Sequence, residues 1–175
     1  MFNRLRRRGL ALLLLALGSA ALVPTAIAAT AEELRPVDQV LVVKSERRLY
    51  LLRDGQPVRS YRVALGLNPL GRKERAGDFR TPEGRYLLDL RNATSDYFLS
   101  IHLSYPNDQD RQQARRRGWQ PGGSIMIHGL PNWPKHPVDY YRSADWTDGC
   151  IALSNDDMLE LWQLTRTNTP MEIRP

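Results

Sequence analysis

A single cysteine, Cys150, occurs among 175 residues, so no internal disulfide can brace this chain. Histidine is scarce as well, and His102, His128 and His136 include no pair at the close spacing of a metal-binding motif. No metal is expected on that ground, and nothing in the pattern calls for an organic cofactor. The longest apolar run, residues 10–23, falls short of the roughly 18 residues of a membrane span. Charge of one sign is not in large excess either. The chain has 25 Lys+Arg against 19 Asp+Glu, but residues 1–28 hold four arginines and no acid, leaving 21 against 19. That balance excludes the basic footprint of nucleic-acid binding. Arg115, Arg116 and Arg117 read as the solvated end of a helix, where cations suit the carbonyl end of the dipole.

What is present divides simply. Arg4, Arg6, Arg7 and Arg8 precede the apolar run, and Ala26-Ile27-Ala28 supplies small residues for cleavage, the layout of an export signal over residues 1–28. An uncleaved anchor is the alternative; in either case the membrane is met only through this segment. Residues 29–38 read as a short tether, and residues 39–175 as one domain large enough for its own core.

Strand signals dominate that domain. Residues 39–44 and 48–53 are aliphatic runs split by Ser45-Glu46-Arg47, a hairpin pattern. Asp54-Gly55 turns into a third strand over 58–65, and 86–90, 97–104, 124–128 and 171–173 read as further strands. Residues 66–84, rich in glycine, proline and charge, form a loop too long for a simple connection. Two helices are expected: a polar surface helix over 108–117 stopped by Gly118, and a second opened by Ser154 as its cap. In the second, Met158, Leu161, Trp162 and Thr165 share one face, with Leu159 beside them.

Cys150 sits in Thr147-Asp148-Gly149-Cys150-Ile151, downstream of His128-Gly129. An imidazole can take a thiol proton, and a glycine-flanked turn leaves backbone N–H groups for an oxyanion. Packing in an apolar strand is the competing explanation for the cysteine, because free cysteine is commonly buried. Gly77-Asp78-Phe79-Arg80-Thr81-Pro82-Glu83-Gly84, Ser104-Tyr105-Pro106-Asn107 and Pro121-Gly122-Gly123 add to the pattern. Together these segments resemble the L,D-transpeptidase catalytic domain (YkuD-like) family of bacterial cell-wall enzymes, over nearly the whole of residues 39–175.

The resemblance implies a mainly β fold, a β-sandwich of mixed sheets with two peripheral helices and a cleft. It implies that Cys150 is the nucleophile, that His128 is its base, and that the Gly129 carbonyl holds the imidazole. The N–H groups of Asp148, Gly149 and Cys150 would form the oxyanion hole. The implied reaction attacks a peptidoglycan stem peptide after its third residue and passes the thioester to an amine, in the periplasm. The acceptor would be another stem peptide or a wall-anchored lipoprotein. Transfer to water, as in a carboxypeptidase or an amidase, and a silent wall-binding module are the rival outcomes.

Two departures stand out: Asp148 where many members have histidine, and Ala152 where arginine or asparagine is common. Ala152 puts the binding of a substrate carboxylate in question. The interval from His128 to Cys150 spans 22 positions and contains Trp133, Tyr140, Tyr141 and Trp146, the makings of a lid or cleft wall. Thr147, Arg80, His102, Trp146 and Tyr140 are the expected substrate contacts. Lys73 and Arg75 are further cations that the long loop offers to a carboxylate, with plain solvated charge as the competing reading.

Overall fold

Aliphatic residues at every second position build the first strands. In β1 (Gln39–Val43) and β2 (Arg48–Arg53), Val40, Val42, Leu49 and Leu51 are fully buried while their neighbours are more exposed. This is the period-two pattern of a half-buried sheet. The structure, a computed structural model, describes residues 35–175. The expected signal and the tether up to residue 34 lie outside the described residues. Val37, just before β1, is already in the core, and its N–H bonds the Leu164 carbonyl at 2.8 Å.

β3 (Gln56–Arg62), β4 (Gly84–Ser95), β5 (Phe98–Leu103), β6 (Met126–His128), β7 (Ile151–Ala152) and β8 (Thr169–Arg174) complete one eight-stranded sheet, ordered β3-β2-β1-β8-β4-β5-β6-β7. β1 with β8 and β6 with β7 run parallel; the other pairs are antiparallel. The sheet curls until its ends meet. Ala64 and Ala152 exchange two backbone hydrogen bonds of 2.9 Å, and Thr147 bonds Leu65 and Leu67 in the same seam. The expected mainly β architecture is thus present, its layers formed by the curling of one mixed sheet. Leu88, Ile101, Leu103, Ile127 and Ile151 fill the inside, each such side chain stabilising the fold by about 1.5–3 kcal/mol.

Three helices lie among the described residues: α1 (Asp108–Arg116), α2 (Val138–Ser143) and α3 (Asn155–Leu164). α1 starts at a capping box between Asn107 and Asp110. It is less detached than its polar sequence suggests, because Asp110 is buried and accepts from Tyr86 Oη at 3.0 Å and Arg72 Nη2 at 2.9 Å. In α3, Ser154 caps the Asp157 N–H as expected, and Met158, Leu161 and Leu164 are buried. Leu159 is instead exposed, and Trp162 is only partly buried, with the Arg91 guanidinium 3.9 Å above its ring. Helix α2 was not legible: its N-cap is Pro137 with no side-chain bond, and only Tyr141 in it is buried.

The long connection between β3 and β4 is pinned. Lys44, buried at the end of β1, donates to the Gly71 carbonyl at 2.6 Å, the Thr81 carbonyl at 3.1 Å and Glu83 at 2.7 Å. Within the loop Lys73 is buried against Asp78 at 2.7 Å. Asp78 also accepts the N–H groups of Glu74, Arg75 and Arg80. Lys73 therefore braces the loop and is not presented to solvent, which corrects its reading as a carboxylate-binding cation.

Candidate active site

The parallel pairing of β6 and β7 brings the two short motifs together. Ile127 pairs with Ile151 and His128 with Ala152. Because side chains alternate, Ile127 and Ile151 enter the core while His128 and Ala152 share the opposite face. Cys150, two residues before Ala152, belongs to that same face. A larger groove lies elsewhere among the described residues, over Leu41, Tyr50 and Glu172 on the outer side of β1, β2 and β8, and its lining has no cysteine, serine or histidine. The cleft that holds His128 and Cys150 is smaller, about 290 Å³, and Trp146, Tyr97, Ser100 and Asp148 help to line it.

His128 is 5% exposed, and its Nδ1 lies 2.7 Å from the Gly129 carbonyl oxygen. That oxygen can only accept, so Nδ1 carries the proton and Nε2 keeps its lone pair. Gly129 is required here: a Cβ would fall 2.7 Å from Asn155 Oδ1 and 3.1 Å from the Tyr97 carbonyl. Tyr97 and Trp146 pack on the imidazole at centroid distances of 4.6 and 5.6 Å. Burial drops the His128 pKa to about 4, against a smaller upward effect of the Gly129 hydrogen bond.

Burial also raises the Cys150 pKa; a backbone hydrogen bond from Met126 opposes the rise, the Asp148 carboxylate adds to it, and Lys73 opposes it more weakly. The thiol points toward the Ser124 carbonyl at 3.7 Å. The lowered imidazole pKa and the raised thiol pKa both favour the uncharged form at neutral pH. Asp148 itself is exposed, so its carboxylate acts through space.

The turn before Cys150 is locked by Thr147. Its hydroxyl donates to the Cys150 carbonyl at 2.7 Å and accepts the Gly149 N–H at 3.1 Å. Gly149, at φ +128°, could not carry a side chain, because a Cβ would lie 2.7 Å from the Arg80 carbonyl. The Gly149 N–H is consequently occupied, which removes it from the expected oxyanion hole. The N–H groups of Asp148 and Cys150 have no acceptor among the described residues.

The remaining expected contacts divide. Trp146 lines the cleft, and its Nε1 is buried without an acceptor. Thr147 lines it too, but both sides of its hydroxyl are used by the turn. His102 sits one position beyond the cleft on the same face of β5 and pairs with Asp89 at 2.7 Å. Arg80 reaches back to Glu74 at 3.6 Å, and only its backbone approaches the site. Tyr140 packs on His136 at 4.3 Å, away from the cleft lining. Sequence reasoning missed Ser100 and Tyr97. Ser100 registers opposite His128, a relation that exists only once β5 and β6 are paired.

A family model described as YkuD, L,D-transpeptidase catalytic domain, matches residues 38–173. A protein named putative L,D-transpeptidase YafK, from Escherichia coli (strain K12), is 30% identical over 131 residues, covering 71% of this chain and 45% of that protein. The chain thus spans about half the length of the curated relatives it matches. Among solved structures, the helical cell shape determining protein Pgp2 from Campylobacter jejuni aligns with a TM-score of 0.58 at 27% identity, over 79% of this chain and 48% of that one. Bd1075 of Bdellovibrio bacteriovorus aligns with a TM-score of 0.56 at 28% identity, over 81% and 49%.

Proposed function

Because the chain belongs to the YkuD family of L,D-transpeptidase catalytic domains, we propose that it is a cysteine acyltransferase acting on peptidoglycan stem peptides. The observation that carries this reading is the shared cleft. It combines a thiol, an imidazole held in one tautomer by Gly129, and two backbone N–H groups without an acceptor.

In the proposed reaction the Cys150 proton passes to His128 Nε2 as sulfur attacks the carbonyl carbon after the third stem residue. The oxyanion is met by the Asp148 and Cys150 N–H groups, each such donor being worth roughly 3 kcal/mol of barrier. His128 then returns the proton to the leaving amine of the terminal residue. The thioester is resolved when an acceptor amine attacks the same carbon and loses a proton to His128, and the expelled thiolate takes that proton from His128. A neutral resting couple fits this sequence, since the base must be unprotonated and the thiol yields its proton only on attack. We assign the reaction to the periplasm, reached through the signal at residues 1–28. The likeness to Pgp2, named for helical cell shape, extends the proposal to a part in shaping the cell wall.

Intact-protein mass spectrometry with tetrapeptide muropeptides tests the reading. A thioester on the native chain, absent from Cys150→Ala, together with a cross-linked dimer is the expected result. An adduct that yields only shortened monomers makes the enzyme a hydrolase. No adduct at all sinks acyl transfer.

A further inference from the structure

The net charge of the described domain is concentrated in one place. Residues 35–175 hold 21 Lys+Arg against 17 Asp+Glu, while residues 71–80 and 107–120 hold eight against four, so the rest balances at 13 to 13. The two segments adjoin. The Ala76 N–H bonds the Gln120 carbonyl at 2.8 Å, and Arg72 pairs with Asp110 of α1 at 2.9 Å. The β3–β4 loop and the end of α1 therefore form a single basic surface. Residues 121–123 lead from it to Ser124, whose carbonyl faces the Cys150 thiol.

The four acids of this surface are already committed. Asp110 meets Arg72, Asp78 meets Lys73, Asp108 meets Arg111 at 3.5 Å, and Glu74 is shared by Arg80 and Arg117. Among the described residues the Arg115 and Arg116 side chains have no hydrogen-bond or ion-pair partner. The Arg75 guanidinium has only the Trp119 ring, with its Cζ 5.3 Å from the centroid, and Arg117 stands 5.1 Å from the same ring. Apolar side chains are exposed beside this charge. Leu70 is 77% exposed and precedes Gly71, whose Cβ position lies 3.7 Å from Arg80 Nη1. Phe79, 42% exposed, precedes Arg80 itself.

We propose that this surface docks on a bilayer containing anionic phospholipid, through the folded domain and independently of residues 1–28. A soluble polyanion would use the guanidinium groups alone and leave Leu70 and Phe79 in water. An anionic bilayer offers phosphates to the arginines and, just beneath them, an apolar layer to the leucine and phenylalanine, with the indole at headgroup level. The attraction is electrostatic in the main, so salt screens it. By sequence, the membrane is met only through residues 1–28, and Arg115, Arg116 and Arg117 are plain solvated charge. The fold adds Arg75, Trp119 and the exposed apolar side chains to them. Docking here holds the Cys150 cleft beside the membrane surface and engages none of the reacting groups, so it goes beyond the acyl transfer and does not rest on it.

Vesicle sedimentation tests this on residues 29–175, which hold the whole described sheet and its core and lack the apolar run at 10–23. Vesicles of phosphatidylglycerol mixed with phosphatidylcholine should bind the protein, less so as salt is raised, and pure phosphatidylcholine should not. Arg75→Gln, Arg115→Gln and Arg116→Gln together should lower the partition constant roughly hundredfold. Lysine at the same three positions should keep most of it, because a bilayer reads charge more than guanidinium shape. Leu70→Ser, which leaves the charge unchanged, should weaken binding several-fold. These side chains are exposed, so an unchanged unfolding temperature verifies that each variant is folded. Equal binding to neutral and anionic vesicles, no binding to either, binding that survives the triple glutamine variant, or Leu70→Ser binding as the native chain does overturns the assignment. Capture by soluble polyglutamate without capture by vesicles gives the surface to an anionic polymer and overturns it as well.

Discussion

Burial acts on His128 and Cys150 in opposite directions on the pKa scale and drives both to the uncharged form. A neutral thiol is a poor nucleophile, so the proposed acyl transfer requires a geometry that lets the imidazole take the proton during attack. Thr147 is the residue that holds this geometry from below. Thr147→Val frees the Gly149 N–H and leaves the Cys150 carbonyl without its donor. Adduct formation should fall at least about tenfold, with a loss of roughly 1–2 kcal/mol in stability. Thr147→Ser should restore most of both. Single-turnover mass spectrometry and denaturant unfolding of the three proteins measure the two effects; an unaltered adduct rate in Thr147→Val would refute the role. His128, Cys150 and their glycines were readable as residues because each motif is local. That Thr147 occupies one of the three expected oxyanion donors was not, since the hydroxyl direction follows from the folded turn.

At the scale of elements, the curled sheet carries the site and the β3–β4 loop supports it from behind. The Arg80 carbonyl lies against Gly149, and Lys44 ties the same loop to the end of β1 through three acceptors. Lys44→Met should destabilise the protein by about 3 kcal/mol or more, because it strands the Glu83 carboxylate beside two carbonyls. Lys44→Met combined with Glu83→Gln should recover much of that loss. Urea denaturation of the single and double variants distinguishes this from simple loss of packing, in which case the second substitution would give no recovery. The main strands were legible because alternation is strong in β1 and β2. β7 was not, having two residues, and α2 was not, having six and no side-chain cap. Both are held by tertiary contacts, α2 by Arg62 at its last carbonyls and β7 by its pairing with β6 and Ala64.

For the whole molecule, the buried imidazole links stability to acid. The unfolded chain takes up a proton at His128 near pH 6.5, whereas the folded chain resists until about pH 4. Between those values the unfolded state binds more protons, so stability rises with pH and is lost as pH falls from 6.5 toward 4. The full loss is roughly 3 kcal/mol. A His128→Gln variant lacks this contribution and should lose less stability between pH 7 and pH 4.5, measured by urea unfolding at both. Equal losses would mean that His128 is not held neutral by the fold. The sequence alone determined the mainly β character, a helix from Asp108 and another opened by Ser154, and the motifs that single out Cys150, His128 and the glycines beside them. These depend on alternation, capping and short motifs, interactions between residues near one another in the chain. Only the tertiary structure decided that Ser100 faces His128, that Arg80 contributes its backbone and Lys73 a brace, and that Arg75 and Arg117 meet at the Trp119 ring. Those relations depend on strand order, register and the closure of the sheet, which are set by burying one common core.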